Sequence, residues 1–208
     1  MDTKFGIRKF AGIRDGVFFE NENRISEQGS LSFDEWMDQI YKTSIIAYPK
    51  FHKMDRLSKL GFATSEVLLK DLSIHKGVDP DKIAVVLANK SSSLDTDIHY
   101  QNLLKKGVSS PAVFVYTLPN ILIGEICIRN KIKGESVFFI SDSYNITQQF
   151  NYINIILKDQ IADTCIGGWV EMLGDRFESF LYLVTKEDKD CISAFSEENL
   201  TNSYNKIR

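Results

Sequence analysis

The sequence predicts an α/β fold with a mostly parallel or mixed central sheet and helices on its faces. Three observations carry this. The run Ile83 to Ala88 in "DPDKIAVVLANK" is continuously apolar, the pattern of a strand buried on both faces in a parallel sheet. Further apolar runs of strand length alternate with segments of helical periodicity. Finally, 208 residues of which 43% are hydrophobic are enough to bury a sizeable core, so one compact domain over 1–208 is expected.

The elements are read in order. "FGIRKFAGI", residues 5–13, forms a first strand, followed by a polar loop. Ser32 with Glu35 three residues on is a capping box that starts a short amphipathic helix, with Trp36 and Ile40 on one face. Leu57, Leu60, Thr64, Val67, Leu68 and Leu72 recur at three- and four-residue spacing, which predicts a helix over about 55–73. After the buried strand, "SLDTDIHYQNLLKK" reads as a capped helix with Ile98, Leu103 and Leu104 inward. "PAVFVYTLPNILIGEICIRNKI" begins extended. Thr117 then caps a helix, Pro119 sits in its first turn, and the helix runs to about Ile132 and stops at Gly134. A strand over 136–141 leads into a helix of about 144–160 striped by Ile146, Phe150, Ile153 and Leu157. Strands at "DTCIGGWV" and "FESFLYLVT" complete the pattern, and the polar residues from about 196 are expected to fray.

Composition narrows the function classes. A net charge of −3 with both signs scattered offers no basic stripe for nucleic acid. No window approaches the ~20 apolar residues of a membrane span, and the start "MDTKFGIRKFAG" has no leader-like apolar stretch. Cys127, Cys165 and Cys191 have neither paired nor metal-ligand spacing, which fits a reducing, cytoplasmic setting and points to no metal and no cofactor.

The stretch "SVFFISDSYNITQQ" places Ser143 where a strand hands over to a helix. Unpaired N–H groups and the helix dipole favour an anion there, which suits a cysteine thiolate. A dipole worth up to about 2 kcal/mol shifts a hydroxyl by only ~1.5 pK units, so a serine needs a general base. His52, His75 and His99 are the histidines, all in polar segments, and no GxSxG elbow surrounds Ser143. Ser143 therefore reads either as the N-cap of the following helix or as a nucleophile whose base is supplied by folding.

From about Met54 to Glu171 the chain resembles the N-terminal half of β-ketoacyl synthases of the thiolase superfamily. "MDRLSKLGFATSEVLLKD" resembles the family's R-M-D helix, and "KIAVVLANKSSSLDTD" its following strand and loop. "SPAVFVYTLPNILIGEICIRNKIKGES" matches without a gap through Ser110, Pro111, Asn120, Gly124, Gly134 and Ser136. In that register Ser143 stands where the family has its nucleophilic cysteine. Downstream, Ala162, Asp163, Gly168 and Glu171 fall into the family's A-D-x-x-x-x-G-G-x-E, with Trp169 in place of the second glycine. Tyr144 and Asn145 replace the small residues that follow the cysteine.

The resemblance implies half of a thiolase-like fold. The chain stops after "FESFLYLVTKED" and a short tail, so the half bearing the family's two catalytic histidines is expected to be absent. It implies a non-catalytic subunit of the chain-length-factor type, as found beside ketosynthases in aryl polyene, flexirubin-like and related polyketide or fatty-acid-like pathways. The implied partner is a complete β-ketoacyl synthase in a heterodimer, with acyl carrier protein as a second partner. The family's acyl tunnel at the dimer interface is lined by the stretch before the N-x-x-x-G helix, here Val115 to Pro119. That makes Phe114, Tyr116, Leu118 and Asn120 candidates, with Leu118 at the gating position; Asp142 and Tyr144 flank the vacated site. Two other readings stay open: a serine acyltransferase or thioesterase using Ser143, and a homodimeric module binding acyl carrier protein or an acyl chain. For carrier protein, Lys105, Lys106, Lys131 and Lys133 are the exposed-cation candidates.

Overall fold

A computed structural model describes residues 4–43 and 46–207. Strand β1, Phe5–Arg14, turns at Asp15-Gly16 into β2, Val17–Glu20, which pairs in turn with β3, Asn23–Glu27. Both turn residues have positive φ, 50° and 72°, the geometry for which the Asp-Gly pair is suited. The polar loop expected here is thus a hairpin, and its signal was the Asp-Gly dipeptide. Helix α1, Phe33–Lys42, follows with the capping box formed as expected, and Trp36 at its inner face donates its ring N–H to the Ser26 hydroxyl at 2.9 Å. Helix α2, Arg56–Leu69, is capped by Asp55.

The sheet order is β3-β2-β1-β7-β6-β4-β5, where β4 is Ile83–Asn89, β5 Ser136–Ile140, β6 Thr164–Leu173 and β7 Arg176–Lys186. The two-residue β8, Ser193–Ala194, pairs with β1. β4 runs parallel to both its neighbours, β6 and β5, and β7 runs antiparallel to β6 and β1. The sheet is therefore mixed, with a parallel end that finishes at β5.

Every residue of β4 is buried, and alternation divides them between two cores. Ile83, Val85 and Leu87 face a core with α1, α2 and α5, the last being Ile121–Asn130. Ala84 and Val86 face a second core with α6, Ile146–Lys158, and α7, Glu197–Lys206. On the first side α5 lies close against α2: a Cβ on Gly61 would sit 2.6 Å from the Leu122 side chain. The pair is pinned by Arg129, whose guanidinium meets both oxygens of Glu66 at 3.0 and 2.8 Å.

Four expectations are corrected. Helix α3, Leu94–Lys105, forms, but Ile98 and Leu104 point to solvent, Leu103 is half-buried, and Thr96 is its one buried residue. It docks through polar contacts instead, with Thr96 donating to Asp55 at 2.5 Å and Ser93 donating to the Thr117 carbonyl at 2.9 Å; Ser93 makes no side-chain cap. The segment after Ser110 is not extended. Ser110 caps a short helix α4, Pro111–Phe114, with proline at its first position. Thr117 accordingly donates back to the Phe114 carbonyl at 2.7 Å rather than capping, and α5 starts after Asn120 and ends at Lys131 in the left-handed conformation.

The third correction concerns Ser143: the cap of α6 is Asn145, whose side chain accepts from the Gln148 N–H at 2.9 Å. The fourth concerns the polar tail, whose last residue Arg208 lies outside the described residues. Ser196 accepts from the Asn199 N–H at 3.2 Å, and Leu200, Ser203 and Ile207 supply a narrow buried stripe that holds α7 on the second core. Three inward residues in a polar segment were too few to announce a docked helix.

Two consequences can be measured by urea denaturation. Leu200→Ala should cost about 2–5 kcal/mol as a buried leucine truncation, and Ser196→Ala about 1 kcal/mol as a lost cap; values near zero for both would mean that the segment frays. Burial raises the pKa of the Asp55 carboxyl above its ordinary value, against the hydrogen bonds from Ser58 and Thr96. The folded state then resists ionisation, so this group's contribution is full below the unfolded pKa of ~3.9 and is lost as pH rises through the folded value. Asp55→Asn should remove that downward slope from the pH–stability curve; an unchanged slope would place its origin elsewhere.

Candidate functional site

The junction between β5 and α6 holds Ser141, Asp142, Ser143 and Tyr144. Ser143 is exposed and lies two residues ahead of the α6 cap, and its carbonyl accepts the Ser141 hydroxyl at 2.9 Å. Among the described residues its own hydroxyl makes no hydrogen bond to a base. The histidines are engaged or placed elsewhere: His52 sits edge-on to Tyr41 and 3.5 Å from Asp38, His75 meets the Asn130 carbonyl at 2.5 Å, and His99 is exposed on α3. A serine at this point gains little from the helix dipole and has no proton acceptor, so the arrangement does not activate it.

Behind Ser143 the space is aromatic. Tyr144 lies 5.9 Å from Trp169, 6.0 Å from Phe180 and 5.0 Å from Tyr204 of α7. The rings of Tyr144 and Trp169 thus meet each other. The Tyr144 and Tyr182 hydroxyls share the side-chain oxygen of the buried Gln149, at 3.3 and 3.0 Å, and Gln149 donates to the Gly168 carbonyl at 2.6 Å. Burial raises both phenols far above their usual pKa, so they are fixed as neutral donors. Gly167 is required here, because a Cβ would stand 2.4 Å from the Tyr182 ring. This is a packed plug, not a substrate cavity.

The other candidates lie on the parallel end of the sheet. Phe114, Val115 and Leu118 are 58%, 50% and 56% exposed, whereas Tyr116 between them is 7% exposed and turned inward. Phe114 leans on Tyr100 of α3, with ring centroids 5.5 Å apart. Asn120 opens a groove of about 340 Å³ between α5 and β5 that is floored by Ile123, Cys127 and Phe138. Burial pushes the Cys127 thiol up to about 11, so it behaves as an apolar lining group. Leu94, Ile98, Leu104, Val108, Ile128 and Ile140 add exposed apolar surface in the same stretch of chain. Lys105, Lys106, Lys131 and Lys133 are exposed.

Sequence reasoning missed Glu125, a buried carboxylate on α5 that accepts from Tyr116 and pairs with Lys50. Its signal was a lone acid inside the apolar helix "ILIGEICI". Among the described residues no three His, Cys, Asp or Glu side chains come together as a metal site, and no helix is long and apolar enough to cross a membrane.

Neither family models nor curated protein sequences match the chain. Solved structures do. It is similar to a chain of the ketosynthase ApeO in complex with its chain length factor ApeC from Xenorhabdus doucetiae, with a TM-score of 0.56 and 16% identity over 89% of this chain and 80% of that one. It is also similar to the ishigamide ketosynthase/chain length factor, TM-score 0.64 and 14% identity over 91% of this chain, and to the type II PKS complex AntDE:AntF, an acyl-carrier protein with its ketosynthase bound to the hexaketide, TM-score 0.63 and 13% identity over 90%. In both of these the match spans 64% of the other chain, less than two thirds of its length. The chain thus shares the mixed α/β fold, a central sheet flanked by helices, of these ketosynthase and chain-length-factor structures.

Proposed function

We propose that this protein is a non-catalytic, chain-length-factor-type subunit that pairs with a complete β-ketoacyl synthase and shapes the acyl tunnel of that partner. The observation that carries the reading is the parallel end of the sheet. β5 is an edge strand, hydrogen-bonded on one side only, and edges of this kind invite pairing unless they are covered or blunted. The groove under Asn120 lies against it and Ile140 projects from it, and Phe114, Val115 and Leu118, ahead of α5, are exposed as well. Apolar surface concentrated in this way marks an interaction face.

The inert junction supports the same reading. Ser143 has no base, and the space behind it is filled by Tyr144 and Trp169. The chain then brings surface and tunnel wall, and the partner brings nucleophile and histidines. Phe114 and Leu118 project outward and are the side chains able to reach into a partner's acyl tunnel. Tyr116 faces inward and does not line it. Acyl carrier protein, being acidic, would be attracted by the exposed Lys105, Lys106, Lys131 and Lys133.

Co-expression with a β-ketoacyl synthase encoded alongside should give a one-to-one heterodimer by native mass; a homodimer would favour a self-associating module, and a monomer would sink the pairing. In that heterodimer Leu118→Asp and Ile140→Asp should each weaken binding by at least about 30-fold, the scale of a hot-spot loss. Leu118→Ala should instead preserve pairing and lengthen the product. Ser143→Ala should leave the rate of the complex within about twofold, where loss of a working serine nucleophile costs on the order of a million-fold.

A further inference from the structure

The stretch that carries Phe114 and Leu118 is short, exposed and apolar, and such a segment holds one geometry only if something fixes it. Tyr116 is its single inward residue. The phenol donates to Glu125 Oε1 at 3.0 Å, and the same oxygen meets Lys50 Nζ at 2.8 Å. Glu125 is 4% exposed on α5, while Lys50 comes from the 3-10 turn Pro49–Lys53 ahead of α2. One carboxylate oxygen therefore joins three separate segments of the chain. Its other oxygen, Oε2, is buried without a partner among the described residues, in which Tyr116 and Lys50 are the donors that compensate the buried charge. A buried carboxylate holds its few donors tightly, because losing one leaves the charge uncovered. Burial also keeps the Tyr116 phenol far above its usual pKa, so it remains a donor.

From the outer side, Ser93 of the α3 cap donates to the Thr117 carbonyl at 2.9 Å and Thr117 closes back on Phe114. The turn is clamped between α3 and Glu125. We infer that Glu125 is a positioning residue: by holding Tyr116 inward it fixes the outward projection of Phe114 and Leu118, and so sets the product length of the complex proposed above. The length assignment rests on that proposal; the clamp itself does not.

The test has one arm on each. In the isolated protein, chymotryptic cleavage after Phe114 should rise about tenfold or more in Tyr116→Phe and Glu125→Ala, following the larger open population of that segment, with cleavage elsewhere unchanged. Should Tyr116→Phe leave cleavage unchanged, the clamp is overturned, whatever the complex does. In the heterodimer, Tyr116→Phe should broaden the product-length distribution while leaving pairing intact. A distribution unchanged by Tyr116→Phe but shifted by Leu118→Ala would overturn the length assignment alone. If no heterodimer forms, the length assignment falls with the pairing, and the cleavage rates still decide the clamp.

Discussion

The burial of β4 on both faces is the constraint from which the rest follows. Seven consecutive residues without solvent access can exist only if both faces of the sheet are covered, and each face takes alternate side chains of the same strand. On one face the covering falls to α1, α2 and α5. On the other it falls to α6 and α7, and without α7 the ring of Phe180 would lose that of Tyr204, 5.4 Å away. Covering both faces does not cover the edge. At β5 one side has no strand partner among the described residues, and α3, α4 and α5 leave apolar side chains in solvent.

The junction between β5 and α6 is best understood through what fills it. A strand-to-helix junction is a place where backbone geometry and dipole can support a nucleophile, yet support is a property of the whole pocket. Here Tyr144, Trp169, Phe180, Tyr182 and Tyr204 occupy the volume; the Tyr144 and Tyr182 hydroxyls meet on Gln149, and the Tyr204 hydroxyl donates to Glu178 at 3.0 Å. Trp169 Nε1 is the buried exception, without a partner among the described residues. Aromatic packing fills the junction, while Ile140 on the edge strand is exposed.

Polar contacts in this protein are concentrated where elements lack apolar faces. Helix α3 offers no inward stripe and is held by Thr96 on Asp55 and by Ser93 on Thr117. The loop before it is held by Glu171, which accepts from the Lys90 and Ser91 N–H groups at 2.7 and 3.1 Å and from the Ser91 hydroxyl. These bonds leave the apolar residues of α3 free to face outward, an arrangement that apolar docking would have prevented.

The sequence by itself determined the sheet-forming runs and most helix bodies, because continuous burial of β4 and the three- and four-residue spacing of α2 and α6 are periodic signals that local chemistry enforces. The capping box of α1 was legible for the same reason, since its donor and acceptor lie three residues apart. Nothing along the chain announced that the rings of Tyr144 and Trp169 would meet. Only the tertiary structure decided which apolar residues face solvent. Ile98 and Phe114 look like core residues along the chain, and they are exposed because polar anchors dock their elements the other way round. It also decided that α7 folds back with three inward residues, that Asn145 and not Ser143 caps α6, and that Glu125 reaches Tyr116 and Lys50. Each of these depends on segments distant in sequence arriving at one place, and no local periodicity carries that information.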